Sequence, residues 1–146
     1  MKISIESLQL SELVAFLREQ ADDVFPDLKD EQRLNMLAEK WHNYAEFCTC
    51  RDEVGRLIGM IAFYANQPDN GVVYISHVYV ASLHRCKGIF KQMLHKVQHI
   101  AQERGFSALK LEVQKDNKNA LRSYERAGFL LSDVAGNESL FLMKSL

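Results

Sequence analysis

"VASLHRCKGIFKQMLHKVQHI", residues 80 to 100, changes its period in the middle. Up to Val80 the apolar residues belong to an extended run. From Ile89 they recur at Phe90, Met93, Leu94, Val97, Ile100 and Ala101, which is the spacing of one helix face. Between the two lies a single glycine, Gly88, with Arg85, Lys87 and Lys91 around it. The first turn of a helix leaves backbone N–H groups unpaired and carries partial positive charge, so such a turn is suited to hold an anion. Gly88 lets the chain approach that anion closely, and the three cations add charge where phosphates would lie. A capped helix with ordinary surface lysines would read the same on this segment alone. Two nucleotide motifs are excluded: there is no G-x-x-x-x-G-K-[ST], and one glycine cannot make the three-glycine dinucleotide fingerprint.

Outward from this turn the elements fall into order. Gly105 closes the helix and "SALKLEV" follows as a strand, so residues 73 to 80 and 107 to 113 form a parallel pair joined by a crossover helix. Before it, residues 44 to 82 contain three β-rich runs separated by turn signals at Asp52 to Gly55 and Pro68 to Gly71, an antiparallel meander. Earlier still come a short strand at Lys2 to Ile5 and two amphipathic helices, one marked by Leu10, Leu13, Val14 and Leu17, the other by Leu34, Leu37, Ala38 and Trp41. Pro26 separates them. After the second parallel strand, Asp116 or Asn117 caps a helix that runs to Gly128, and "FLLS" and "SLFLMKS" close the chain as two strands. No repeat or linker interrupts this order, so residues 1 to 146 read as one domain.

Composition narrows the function. The chain has 146 residues, 47% hydrophobic and 25% charged, with a net charge of −1. Nothing in that balance calls for nucleic acid or an anionic membrane as partner. Charge is nevertheless uneven: residues 1 to 40 carry nine Asp or Glu against five Lys or Arg, and residues 82 to 126 carry ten Lys or Arg against four Asp or Glu. This suits a split site with a polyanion on one side, or simply two solvated faces. Cys48, Cys50 and Cys86 have no metal-ligand spacing, so no metal site is expected, and reduced thiols point to the cytoplasm. The N-terminus lacks the features of a signal peptide.

A second segment sharpens the reading. In "LEVQKDNKNALRSYERAGF", residues 111 to 129, Asn117, Ala120, Leu121 and Tyr124 share one helix face, with Tyr124 about 10 Å along the axis from Asn117. An amide and a phenol so placed can face one extended ligand, although Tyr124 also reads as a core aromatic. Together, "VYVASLHRCKGIF" (78 to 90) and this segment resemble the acetyl-coenzyme A signature, R/Q-x-x-G-x-G/A, and the following Asn-Tyr-Gly-Phe segment of the GCN5-related N-acetyltransferases (GNAT). The order of elements is similar to that family over nearly the whole chain. The resemblance implies an α+β fold with a central mixed, mostly antiparallel sheet of six to seven strands, splayed between strands 4 and 5 and flanked by four helices.

It also implies roles. The family pairs the main chain of Val78, Tyr79 and Val80 with the pantetheine arm. The loop and first helical turn, Arg85, Cys86, Lys87, Gly88, Ile89 and Phe90, with Lys91 close by, hold the pyrophosphate. Asn117 bonds the pantetheine or orders the site, and Tyr124 is the acid that protonates the departing thiolate. Position 90 is Phe where the pattern prefers Gly or Ala, so its side chain is expected to turn inward and leave its N–H available. The implied reaction moves an acetyl group directly from acetyl-coenzyme A to a primary amine, with no metal and no acyl-enzyme. A non-catalytic acyl-coenzyme A binding module is the alternative. His77 has the intrinsic pKa of a base, with Glu112 and Tyr74 as rivals, and Cys86 lacks an evident base partner. Specificity in the family comes from the first two helices and central strands, here residues 21 to 34 with Asp22, Asp23 and Asp27, plus Trp41, His42, Tyr44, Phe63 and Tyr64. A small-molecule amine is the implied acceptor. Many relatives are homodimers, and no patch in the sequence decides that state.

Overall fold

The computed structural model of the protein describes residues 1–23, 25–66 and 70–146. Strands β1 (Lys2–Glu6), β2 (Glu46–Arg51), β3 (Leu57–Tyr64), β4 (Val72–Val80), β5 (Ala108–Gln114), β6 (Leu130–Val134) and β7 (Ser139–Ser145) form one sheet in the order β1-β2-β3-β4-β5-β7-β6. Helices α1 (Leu10–Asp23) and α2 (Glu31–Tyr44) precede β2, α3 (Ile89–Glu103) joins β4 to β5, and α4 (Lys118–Arg126) joins β5 to β6. Among the described residues only the β4–β5 pair is parallel. The expected mixed α+β sheet is therefore present, with seven strands and four helices among those residues.

The central strand β3, LIGMIAFY, is apolar almost throughout because helices cover both of its faces. On one face Leu13, Phe16 and Leu17 of α1 and Trp41 of α2 pack against Met60, Ala62 and Tyr79. On the other, Met93, Leu94 and Val97 of α3 pack against Ile61, Phe63, Val73 and Ile75. Gly59 allows the start of α3 to lie close to β3: a Cβ at that position would meet Met93 Cε at 3.3 Å and Ile89 Cγ2 at 3.4 Å. At the far edge, Arg51 bonds Glu6 at 2.9 Å and Glu12 at 3.0 Å, tying β1, β2 and α1 together. The guanidinium holds the Glu6 carboxyl below its usual range, and the Thr49 hydroxyl donates to the same group.

The turn expected after Asp52 is built by its side chain, whose Oδ1 accepts from the N–H groups of Val54 and Arg56 at 3.0 and 2.8 Å. Of the turn expected at Pro68 to Gly71, Gln67, Pro68 and Asp69 lie outside the described residues. Strand β4 is irregular on both sides. Its parallel register with β5 runs only from Val72–Ala108 to Ile75–Leu111, although both strands continue, so they splay apart. On the β3 side, Ala62 pairs with His77 and Phe63 with Ile75, which leaves Ser76 as a bulge. The bulge puts Ser76 and His77 on the same face, toward α1 and α2. Among the described residues no helix is long and apolar enough to cross a membrane.

Candidate functional site

Among the described residues, β4 beyond Ile75 has a partner strand on one side only. The Ala81 N–H bonds Ile58 O at 2.8 Å, which aims the main chain of Ala81 and Tyr79 at β3. Strand alternation then turns the N–H and C=O groups of Val78 and Val80 into the gap between β4 and β5. Three residues were expected to offer main chain to a ligand here, and one is corrected: Tyr79 faces β3, and its ring packs edge-on against Phe16 of α1 at 5.5 Å.

The gap runs into the loop before α3. After a short 3-10 turn (Ser82–His84), Cys86 adopts φ +62° and Gly88 φ +81°, both left-handed. For a residue with a Cβ this conformation costs about 1–2 kcal/mol. At Gly88 an added Cβ would meet nothing nearer than Gln92 Nε2 at 4.0 Å, so the backbone angle rather than space calls for glycine. Gly88 caps α3 without a side-chain bond. The N–H groups of Cys86, Lys87, Gly88, Ile89, Phe90 and Lys91 have no acceptor among the described residues. Successive free amides around left-handed residues make a concave anion site, and Lys87 and Lys91 are exposed beside it. Ile89 contributes only its amide, its side chain being 1% exposed in the core. A strand gap opening onto an amide nest fits an extended ligand with an anionic end.

One member of the expected set behaves differently. The side chain of Arg85 turns back from the loop: Nε donates to Val80 O at 2.8 Å and Nη2 bonds Asp23 Oδ2 at 2.7 Å. Asp23, expected as a lure for a cationic amine or a solvated residue, is exposed and bonded to Arg85. Asp22 and Asp27 stay exposed.

On the α3 side, Phe90 is half-buried and its ring meets that of Tyr124 at 5.7 Å, edge to face. Phe90 thus turns inward as expected, with its N–H unpaired among the described residues. Phe129 contacts Tyr124 from another side at 5.8 Å. The Tyr124 hydroxyl has no partner among the described residues, and burial pushes its pKa up to about 12. A phenol is protonated at neutral pH with or without that shift. Asn117 caps α4, its Oδ1 accepting from the Ala120 N–H at 3.2 Å, which leaves its amide NH₂ for another partner.

The opposite face carries a polar cluster. His77 lies between Phe25 and Trp41, with ring centroids at 4.5 and 4.9 Å, and its Nε2 bonds Gln20 Oε1. Burial lowers its pKa to about 4. Trp41 Nε1 donates to Ser76 Oγ at 3.3 Å. Tyr64 pairs across the strands with Tyr74, and its buried hydroxyl lacks a partner among the described residues. Of the aromatics expected to form an acceptor wall, Trp41 is buried in the core and Phe63 points to the opposite side of the sheet, because strand alternation separates it from Tyr64. His42 and Tyr44 are exposed on α2. Sequence reasoning missed Gln20, although a polar residue on the buried stripe of Leu13, Phe16 and Leu17 was its signal. Among the described residues no group of three or more His, Cys, Asp or Glu is placed to hold a metal ion.

Solved structures of similar fold are known. The PaiA N-acetyltransferase from Thermoplasma acidophilum, solved in complex with coenzyme A, superposes with a TM-score of 0.78 over 100% of both chains at 20% identity. A GNAT-family acetyltransferase from Staphylococcus aureus Mu50 gives 0.77 over 99% of each chain at 19% identity. The IAA acetyltransferase from Bacillus cereus gives 0.71 over 99% of this chain and 100% of the other at 18% identity. No curated protein sequence matches. The family described as Acetyltransferase (GNAT) matches residues 10–129, from the first helix through Phe129 and so across both the strand gap and the amide nest. On that match and this architecture, the chain belongs to the GNAT acetyltransferase family.

Proposed function

We propose that the protein transfers an acetyl group from acetyl-coenzyme A to a primary amine of a small molecule. The observation that carries this reading is the β4–β5 opening that ends in six unpaired amides at the start of α3 among the described residues. The pyrophosphate is assigned to the amides of Cys86, Lys87, Gly88, Ile89 and Phe90, with Lys87 and Lys91 as counter-charges. The main chain of Val78 and Val80 is assigned to the pantetheine arm, and the Asn117 NH₂ to the same arm. Acetyl-coenzyme A supplies the activated acetyl thioester, and coenzyme A structures of similar folds support that choice.

The chain's own residues then act on protons and charge. The Val78 N–H, pointing into the gap, is a donor for the charge that develops on the carbonyl oxygen as the amine nitrogen bonds to the acetyl carbon. Tyr124 gives its proton to the departing sulfur as the C–S bond breaks, and the proton lost by the amine balances it. We move the base role away from His77: at a pKa of about 4 it is a poor acceptor for an alkylammonium proton. The amine's proton leaves to solvent on the open side, where Glu112 is the exposed carboxylate, one residue past the last β4 partner on β5.

The test is release of free thiol from acetyl-coenzyme A with a panel of small amines. Tyr124→Phe keeps the ring against Phe90 and Phe129 and removes the donor. It should leave the Kd for acetyl-coenzyme A within about twofold and lower kcat by roughly 10²-fold or more. Equal kcat in the two proteins would remove Tyr124 as the acid. Binding without turnover on any amine would favour the non-catalytic module.

A further inference from the structure

Arg85 has its side chain directed away from the amide nest, and the reason lies in α1. We infer that Asp23, the last residue of α1, is a positioning residue for the cofactor loop: it fixes Arg85, and through Arg85 the left-handed turn that presents the amides. The inference rests on the acetyl-coenzyme A reading of that loop.

Asp23 Oδ2 accepts two bonds, from the Tyr79 hydroxyl and from Arg85 Nη2, each at 2.7 Å. Arg85 is held at two further points, by the Val80 carbonyl and by the face of the Tyr79 ring, 5.6 Å from its guanidinium carbon. Tyr79 is a rigid post, 8% exposed, with its main chain directed at β3. Arg85 therefore enters the loop with its side chain pinned, and the next residue is Cys86 at φ +62°. A strained turn persists only where its surroundings over-determine it. Without the pin, Cys86 can relax to negative φ and the amides of residues 86 to 88 no longer converge.

Two features argue that Asp23 is there for this task rather than for the fold. It sits at the C-terminal end of α1, whose last turn has no basic residue, and a carboxylate there opposes the helix dipole. It also bonds the residue that precedes Cys86, so a negative charge is tied to the loop assigned to an anion and is balanced there by Arg85. Replacing Asp23 with a neutral isostere should accordingly spare the fold and damage the loop.

The decisive property is the sign. If Arg85 instead served the phosphates directly, Asp23→Asn would release it and remove a repelling charge, and acetyl-coenzyme A would bind more tightly. If Asp23 positions the loop, the same change weakens binding. Calorimetric Kd values and thermal midpoints should be measured for the wild type, Asp23→Asn, Arg85→Lys, the double variant and Tyr79→Phe. Positioning predicts a Kd about tenfold higher for Asp23→Asn, a matching rise in KM for acetyl-coenzyme A, and kcat within about twofold. The thermal midpoint should stay within about 2 °C. Arg85→Lys should lose a similar factor and the double variant no more than the worse single change, because both break one device. Tyr79→Phe, which removes one of the two bonds to Asp23, should lose about threefold.

Unchanged or tighter binding by Asp23→Asn, with a wild type that binds, would overturn the positioning role and leave the acetyltransferase reading standing. Additive losses in the double variant would overturn it too, as would a Kd loss matched by a collapse of the thermal midpoint. A wild type that does not bind acetyl-coenzyme A would overturn the underlying reading and this inference with it.

Discussion

His77 is held by two aromatic rings and one polar bond. Its ring lies between Phe25 and Trp41, and its Nε2 is tied to Gln20, a residue with no exposed surface. Burial holds the imidazole neutral, titrating at about 4, whereas a free imidazole titrates near 6.5. Between those values the unfolded chain binds a proton that the folded chain refuses. The contribution is therefore complete above pH 6.5 and is lost as pH falls toward 4, by at most about 3 kcal/mol. Thermal melts from pH 7.5 to 4.5 should show a midpoint that falls with pH in the wild type and falls less in His77→Gln. The same slope in both proteins would mean that other groups drive the acid sensitivity. Turnover should agree: His77→Gln should keep the shape of the kcat profile between pH 6 and 9, since the imidazole does not titrate there.

At the scale of elements, α3 begins at the amides unpaired among the described residues, and its seat on β3 sets where they point. Ile89, its first residue, is buried against Gly59, and Met93 one turn later has no exposed surface. A branched side chain at position 59 would sit 3.3–3.4 Å or less from Met93, Ile89 and Cys50, and α3 would have to lift away. Gly59→Val should lower stability by about 1–3 kcal/mol through overpacking. It should also weaken acetyl-coenzyme A binding, because the unpaired amides belong to the turn that moves. Gly105→Ala is the control: at φ +85° with open space around it, it should lose about 1 kcal/mol of stability and no affinity. Equal affinity in Gly59→Val would show that the loop holds its shape independently of the helix seat. The strand-turn-helix itself was legible in the sequence, since the apolar period changes at Gly88 and local chemistry dictates both halves. Gly59 and Ser76 were not legible as special. A close helix seat and a one-residue bulge depend on what lies across the sheet, and no local pattern records it. The direction of Arg85 was hidden for the same reason, its partners Asp23 and Tyr79 being 62 and 6 residues away in the chain.

For the whole molecule the interrupted sheet is the central fact. Among the described residues the other neighbouring strands pair along their shared length apart from local bulges, whereas β4 and β5 part after Ile75 and Leu111, and helical layers pack on both faces of the sheet. The Val80 carbonyl is taken by Arg85, so a ligand that bonds the main chain of Val78 and the N–H of Val80 and fills the amide nest would complete both sets of unpaired groups at once. It would bind only the folded chain, so it must stabilise the protein by mass action. At a concentration one hundred times its Kd this amounts to about 2.7 kcal/mol. For a chain of this size that corresponds to a thermal midpoint raised by roughly 5–10 °C. Gly88→Glu should abolish the shift, since it places a side chain at φ +81° and a negative charge at the proposed position of the phosphates. Coenzyme A should reproduce most of the wild-type shift, because the amides and the strand gap are assigned to its pyrophosphate and pantetheine rather than to the acetyl group. A shift produced by pantetheine alone and insensitive to Gly88→Glu would leave the strand gap as a site and take the anion-holding role away from the loop.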